Sequence, residues 1–133
     1  MKLTEEEARQ LAKSFRDFSV SLGDFRFGNW ADLSEKERKT IEGMEWKLLN
    51  YSSDFTTKTV GLILDDAEGS LKSLQQAAGK AKKAIANIKT VKNIIIISTS
   101  IMELGVAVAS KDPKVVASAV RNVVKTVNEA RKK

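Results

Sequence analysis

The sequence predicts an all-α protein, an elongated up-and-down bundle of about four helices in which the third helix is unusually long. Apolar residues recur at steps of three and four through most of the chain, and two capping boxes and one Asp-Pro pair mark helix starts. A chain of 133 residues buries about two-thirds of its unfolded surface. Residues 1–133 are therefore expected to form a single domain without disulfides or metals.

The first predicted helix spans residues 4–22. Thr4 and Glu7 form a capping box, in which each side chain satisfies a backbone amide left free at the helix start. Gly23 is expected to end this helix, because glycine readily adopts the left-handed conformation that follows many helices. The apolar face consists of Leu11, Phe15, Phe18 and Leu22.

Residues 23–33, GDFRFGNWADL, follow neither a helical nor a strand period, so a loop that carries aromatic anchors is predicted there. Ser34 and Glu37 form a second capping box and start a helix predicted over residues 34–64, with a break around residues 50–54 as an alternative. Its apolar face contains Ile41, Met44, Leu48, Tyr51, Phe55 and Leu62.

The third predicted helix spans residues 67–109 and is the source of the elongated shape. Asp65, Asp66 and Glu68 lie at its start, where acidic residues cap a helix and suit its dipole. They lack the spacing of a calcium loop, which makes a cation site the weaker interpretation.

The length of this third helix is out of proportion to the chain. Residues 71–109 as one helix would extend about 58 Å, whereas a compact domain of this size is about 35 Å across. The sequence therefore predicts either a rod or a broken helix, with Gly79 and Gly105 as the expected break points.

The last predicted helix spans residues 113–131. Asp112 is the N-cap, and Pro113 takes the first helical position, where its missing amide costs nothing. The apolar face consists of Val116, Val120, Val123 and Val127.

Residues 94–109 are the most apolar part of the chain. A strand is one alternative because β-branched residues favour extended chain, but no second segment is available to pair with it. A membrane span is another, but about 24 Å of helix is shorter than a hydrocarbon core of roughly 30 Å, and Glu103 lies inside it. We therefore expect a helix enclosed by its sister helices in water, with Glu103 at a helix seam, paired with a lysine or reaching solvent.

Cysteine and histidine are both absent. Their absence excludes thiolate and histidine metal sites, cysteine nucleophiles and histidine-based triads, so neither a cofactor nor a metal is expected. An enzyme that uses carboxylates alone is an alternative, but no spacing nominates a pair. The sequence favours a protein that is not an enzyme.

Charge is divided unevenly along the chain. Residues 1–66 carry 10 Lys or Arg against 13 Asp or Glu, a net −3, and residues 67–133 carry 13 against 4, a net +9.

The start, MKLTEEEARQ, lacks the apolar core of a secretory signal. A cytoplasmic location is expected, and export by a route that needs no such signal is compatible with the sequence.

Two groups of residues are candidate partner-binding sites. In the first, aromatic rings surround an arginine, a combination that binds partner peptides or single-stranded nucleic acid, with a hydrophobic plug at the bundle end as the alternative. In the second, clustered lysines suit phosphates, acidic lipids or an acidic partner, with a solvated helix face as the alternative. The first group is Phe25, Arg26, Phe27 and Trp30, and the second is Lys80, Lys82 and Lys83.

These features favour a non-enzymatic bundle that acts through protein–protein interaction or self-association, as an adaptor, an inhibitor or a secretion partner. The first alternative is a membrane-active protein that inserts the apolar hairpin 94–127 into an anionic bilayer. The second alternative is nucleic-acid binding through the basic C-terminal half, which lacks aromatic residues for base stacking.

Overall fold

The computed structural model describes residues 2–64, 69–88 and 90–131. Within these ranges the chain forms five α-helices, one short 3-10 turn and one isolated β-bridge. The all-α prediction is confirmed for the described residues, whereas the count of four helices is wrong. The helices are α1 (Glu5–Gly28), α2 (Glu35–Lys58), α3 (Leu71–Asn87), α4 (Val91–Ser110) and α5 (Pro113–Arg131), with the 3-10 turn at Trp30–Asp32.

Three helix starts lie where the sequence places them. The capping boxes of Thr4 and Ser34 both form: each side-chain oxygen accepts the amide three residues on, and the glutamate there accepts the cap residue's amide. The Oδ1 atom of Asp112 accepts the amide of Lys114 at 2.9 Å. The last helix occupies the predicted span 113–131.

The first helix does not end at Gly23, and the predicted loop at 23–33 is partly helical. α1 continues to Gly28, so residues 25–27 lie on its last turn. Gly23 is buried, and a Cβ atom there would lie 3.0 Å from Oε1 of Glu45 on α2. This glycine therefore allows a close approach between two helices instead of ending one.

The second helix is shorter than predicted and has no break at residues 50–54. α2 ends at Lys58, and Gly61 adopts a φ of 80°, in the left-handed region that favours glycine. The turn that follows pairs with the N-terminal segment: the Leu3 amide donates to the Leu62 carbonyl at 2.9 Å, and the Gly61 amide donates to the Leu3 carbonyl at 2.8 Å.

The predicted third helix, residues 67–109, is two helices, and neither Gly79 nor Gly105 marks the break. Ile88 and Thr90 have ψ angles of 130° and 115°, and both are extended. β-branched side chains are stiff and weaken helix propensity, so this is a favourable place to leave the helical conformation. The break lets α4 change direction after α3 and pack between α2 and α5, which removes the long rod.

The start of the third predicted helix also differs. Ser70 is the N-cap of α3, and its hydroxyl accepts the Ser73 amide at 3.1 Å. Asp65, Asp66 and Glu68, predicted to have the capping role, lie outside the residues that the structure describes.

The five helices pack as a ring in the order α1, α2, α4, α5 and α3, so that each touches two neighbours along it. α1 and α2 are antiparallel, since Phe15 contacts Phe55 and the Ser19 hydroxyl donates to the Glu45 carbonyl. α4 and α5 form a second antiparallel pair across a tight turn. α3 lies between α1 and α5, and its buried face is rich in alanine, which permits close packing.

α4 is buried on one broad face and exposed on the opposite one. Ile94, Ile97 and Ile101 are fully buried, whereas Ile96 and Val106 are 43% and 58% exposed. The sister helices therefore cover the segment less fully than expected, because a helix in this ring keeps an outward face. The segment is helical, which also contradicts the strand alternative.

Gly105 on α4 allows α2 to pack closely. A Cβ atom at this position would lie 2.7 Å from Cδ2 of Tyr51. That ring is held by Phe15 and Phe55, with centroid distances of 6.3 and 5.7 Å.

We expect Gly105→Ala to lower the free energy of unfolding by about 1–3 kcal/mol through overpacking, measured by urea denaturation followed by circular dichroism.

Gly79→Ala on α3 is the matched control. A Cβ atom there meets no heavy atom within 4 Å. Alanine should raise the free energy of unfolding by about 0.5–1 kcal/mol through its higher helix propensity. Similar effects of the two substitutions would contradict the close packing of α4 on α2.

Candidate functional site

A buried ion pair joins the last turn of α1 to α2. Arg26 is 8% exposed, and its Nε and Nη2 atoms donate to the two carboxylate oxygens of Glu45 at 2.6 and 3.2 Å. The Nη1 atom of Arg26 lies 3.5 Å from Oε2 of the more exposed Glu42. Two nearly parallel hydrogen bonds are the strongest arrangement for this pair of groups.

The hydrogen bond with Glu45 is the main cause that raises the pKa of Arg26 above its usual value. A guanidinium is charged at any ordinary pH even without this effect. Glu45 is itself held in place, because Gly23 leaves room for its carboxylate and the Ser19 hydroxyl donates to its carbonyl at 2.9 Å.

Aromatic rings and guanidinium groups stack directly beside this ion pair. Phe27 and Trp30 are nearly parallel, with centroids 6.1 Å apart and an interplanar angle of 11°. The Cζ atom of Arg26 lies 4.5 Å from the Phe27 centroid, and that of Arg38 lies 4.5 Å from the Trp30 centroid. These distances are typical of cation–π contacts. Arg26, Phe27, Trp30 and Arg38 are called the aromatic–arginine cluster below.

Arg38 holds the backbone of Trp30 as well as its ring. Its Nε and Nη2 atoms both donate to the Trp30 carbonyl oxygen, at 3.0 and 2.6 Å. Trp30 opens the 3-10 turn that links α1 to α2, and Arg38 lies near the start of α2. The cluster is thus fixed from both sides of the link, and its geometry exists before any partner binds.

The rings of the cluster face solvent although they are held in place. Phe27 and Trp30 are 67% and 45% exposed, and Trp46 on α2 is 63% exposed. A hollow of about 380 Å³ lies beside Trp30 and is lined also by Lys39 and Glu42. Trp46 follows these two residues by seven and four positions, so it lies on the same face of α2 and extends the surface.

The charge around the hollow is mixed. Arg26, Arg38 and Lys39 line it together with Glu35 and Glu42. Lys39 is also paired with Glu35 at 3.2 Å. An aromatic surface with both signs of charge suits a protein partner, whereas carboxylates would repel a phosphate backbone.

The structure separates Phe25 from the rest of its predicted group. Phe25 is half-buried and packs against the core. It lines a small hollow with Ile85 and Ala86 at the end of α3. Phe25 therefore packs against the core, while Phe27 and Trp30 lie on the surface.

The predicted lysine group lies on α3. Lys82 and Lys83 are exposed and Lys80 is half-buried. No ion pair among the described residues involves them, and they lie on α3, whereas the aromatic–arginine cluster lies on α1, α2 and the link between them. The structure therefore does not join the two predicted groups into one site.

Arg38, Glu45 and Trp46 belong to this surface and were not predicted. The partner of Arg26 depends on the register between α1 and α2, which no local pattern reveals. Trp46 could have been found, because it stands among polar residues outside the apolar period of α2.

Glu103 lies at the seam between α4 and α5, where it reaches solvent. Its Oε2 atom accepts a hydrogen bond from Nδ2 of Asn122 at 3.2 Å, so its partner is an amide instead of a lysine. Across the part of the chain that the structure describes, no group of three or more Asp or Glu side chains is placed to hold a metal ion.

Comparison with protein-family models, with curated proteins and with solved structures gives no match to this chain.

Removal of the Glu45 charge tests the ion pair. Glu45→Gln leaves a buried arginine without its carboxylate, so we expect the free energy of unfolding to fall by about 3 kcal/mol. The measurement is urea denaturation followed by circular dichroism.

Glu42→Gln is the matched control, because it removes the same charge from a side chain that is 52% exposed and 3.5 Å from the same arginine. Exposed ion pairs contribute little, and a loss below about 0.5 kcal/mol is expected. If the two variants are equally stable, the buried pair does not organise this end of the bundle.

Proposed function

We propose that this protein is a non-enzymatic helical bundle that acts through protein–protein interaction, and that the aromatic–arginine cluster is its docking surface. The observation that carries the proposal is the exposure of two stacked aromatic rings held rigidly by two arginines. Tryptophan and arginine are the residue types most enriched among those that dominate binding energy at protein interfaces.

The fixed arrangement of the aromatic–arginine cluster supports the proposal as much as its residue types do. A side chain that is ordered only on binding costs about 0.5–1.5 kcal/mol of lost freedom. The Arg26–Glu45 pair and the bond from Arg38 to the Trp30 carbonyl fix the cluster in advance. Much of that cost is therefore met during folding, which leaves the burial of the rings available for affinity.

The partner that suits this surface is another protein, or a second copy of the chain. Both signs of charge surround Trp30, which favours a polar rim with matching ion pairs over a polyanion. An adaptor, an inhibitor or a secretion partner would each use such a surface. A cytoplasmic location remains a prediction, and so does the absence of catalytic activity.

A membrane-active protein is the second candidate. α4 (Val91–Ser110) is long and apolar enough to cross a membrane, but half of its most apolar window is buried within the bundle. The exposed side chains of Ile96 and Val106 lie on the outward face of α4. For this candidate the α4–α5 hairpin would leave the ring and enter an anionic bilayer.

Truncation of the exposed rings tests the docking surface. We expect Phe27→Ala with Trp30→Ala to weaken partner binding at least tenfold, since each residue of this kind contributes about 2 kcal/mol or more. The immobilised protein is used to capture a partner from native extract. The purified partner is then titrated by calorimetry against the parent protein and against the doubly substituted variant. Analytical ultracentrifugation of the free protein tests the case in which the partner is a second copy.

Val60→Ala with Ile63→Ala is the matched control. These side chains are 47% and 54% exposed and lie at the other end of the α1–α2 hairpin, where the chain pairs with Leu3. Their truncation should leave partner affinity unchanged. A partner that binds the ring-truncated protein as tightly as the parent, or a protein that retains no partner and stays monomeric, would refute the docking role.

The membrane candidate predicts leakage of a dye trapped in vesicles of anionic phospholipid. It also predicts that Val106→Asp weakens the leakage, because a charged residue within a span is unfavourable, by up to about 3 kcal/mol at the span centre. Val106 is exposed in the bundle, so the substitution should leave folding intact by circular dichroism. Vesicles that stay sealed with the parent protein would exclude this candidate.

A further inference from the structure

The surface formed by α3 and α5 is mainly basic, whereas the surroundings of the aromatic–arginine cluster carry both signs of charge. α3 carries four lysines and no acidic residue, and α5 carries four basic residues against one acidic residue. Because α3 and α5 pack side by side, a net charge of +4 and a net charge of +3 lie next to each other. The basic residues are Lys72, Lys80, Lys82 and Lys83 on α3, and Lys114, Arg121, Lys125 and Arg131 on α5.

An open groove of about 550 Å³ lies along α5 and is lined on the α3 side by Ser73. Its volume is within the range of about 300–1,000 Å³ that is common for small-molecule sites. Gly69 lies against Ala117, where a Cβ atom would be 3.3 Å from the α5 backbone. Beyond that close approach the groove opens, with Ser73 on one wall and Val120 and Val124 on the floor.

The rim of the groove is basic. Arg121 and Lys125 stand one helical turn apart along α5, and Asn128 follows Lys125 on the same side. The aliphatic stems of such long side chains extend the apolar floor, while their charged ends stay in water. Glu129 is the one acidic side chain among the described residues that line the groove.

We propose that this groove binds an anionic amphiphile, with its alkyl chain over Val120 and Val124 and its headgroup at Lys125. The lining residues 120–129 span roughly 14 Å of helix, long enough for an extended alkyl chain. The charge of Lys125 attracts the anion, and the apolar floor retains the chain.

Other classes of ligand would use only one of the two features of the groove, the apolar floor or the basic rim. A small hydrophilic anion makes no use of the apolar floor, and an uncharged chain makes none of the basic rim. Nucleic acid would lack base stacking, because all aromatic residues of the chain precede residue 56. The groove and the hollow beside the aromatic–arginine cluster share no lining residue, so this proposal stands independently of the docking role.

The test is isothermal titration calorimetry with decanoate below its critical micelle concentration. We expect saturable binding of one decanoate per chain and no saturable binding of butyrate, whose chain is too short to cover the floor. Lys125→Glu should weaken decanoate binding at least tenfold, since a charge-assisted hydrogen bond is replaced by repulsion. The same variant should bind decyltrimethylammonium more tightly than the parent does.

Lys83→Glu is the matched control, with the same change of charge on an exposed residue of α3 that does not line the groove. It should leave decanoate binding within twofold of the parent. The proposal is overturned by any of three results: no saturable decanoate binding, equal losses in the two variants, or binding only to vesicles of anionic phospholipid and not to monomeric decanoate.

Discussion

The bidentate ion pair between Arg26 and Glu45 is the interaction on which the α1–α2 end of the bundle depends. Removing two charged side chains from water costs free energy. A buried ion pair offsets that cost only when the two groups are well aligned and their remaining donors and acceptors are hydrogen-bonded. Gly23 provides that geometry, because a side chain there would meet the carboxylate. α1 continues past the glycine to Gly28, and Phe27 and Trp30 are exposed to solvent.

The ring of five helices sets a second constraint. With a single layer of helices around one core, each helix keeps an outward face, and the composition of that face differs from helix to helix. The outward face of α4 includes Ile96 and Val106, whereas α3 and α5 together present basic residues over a groove. The chain thus has an aromatic surface of mixed charge and, elsewhere, a basic surface, which favour different ligands.

Local signals in the sequence predict much of the fold. The capping boxes at Thr4 and Ser34 and the Asp112 cap lie at real helix starts, because these hydrogen bonds involve only residues close in sequence. The helix ends were harder to predict. Gly23 looked like a terminator, and the end of α3 at residues 87–88 carries no glycine or proline, so the helical period hid it.

The candidate site also contains residues that local sequence signals predict and residues that they do not. Aromatic residues around Arg26 were visible in the sequence, and two of them, Phe27 and Trp30, do lie together on the surface. Arg38 and Glu45 were invisible, because their roles come from the register between α1 and α2. The lysines of α3 were visible as a charged run, but their relation to the groove depends on which helix lies beside them.

The central claim is that the free protein holds Arg26, Phe27 and Trp30 in one arrangement before any partner is present. Solution NMR of the free protein measures this most directly. The account predicts a slowly exchanging Nε proton for Arg26, contacts between the Phe27 and Trp30 rings, and ring-current shifts on the side chain of Arg38. Arginine protons with the shifts and fast exchange of an unstructured peptide, and no contact between the two rings, would contradict it.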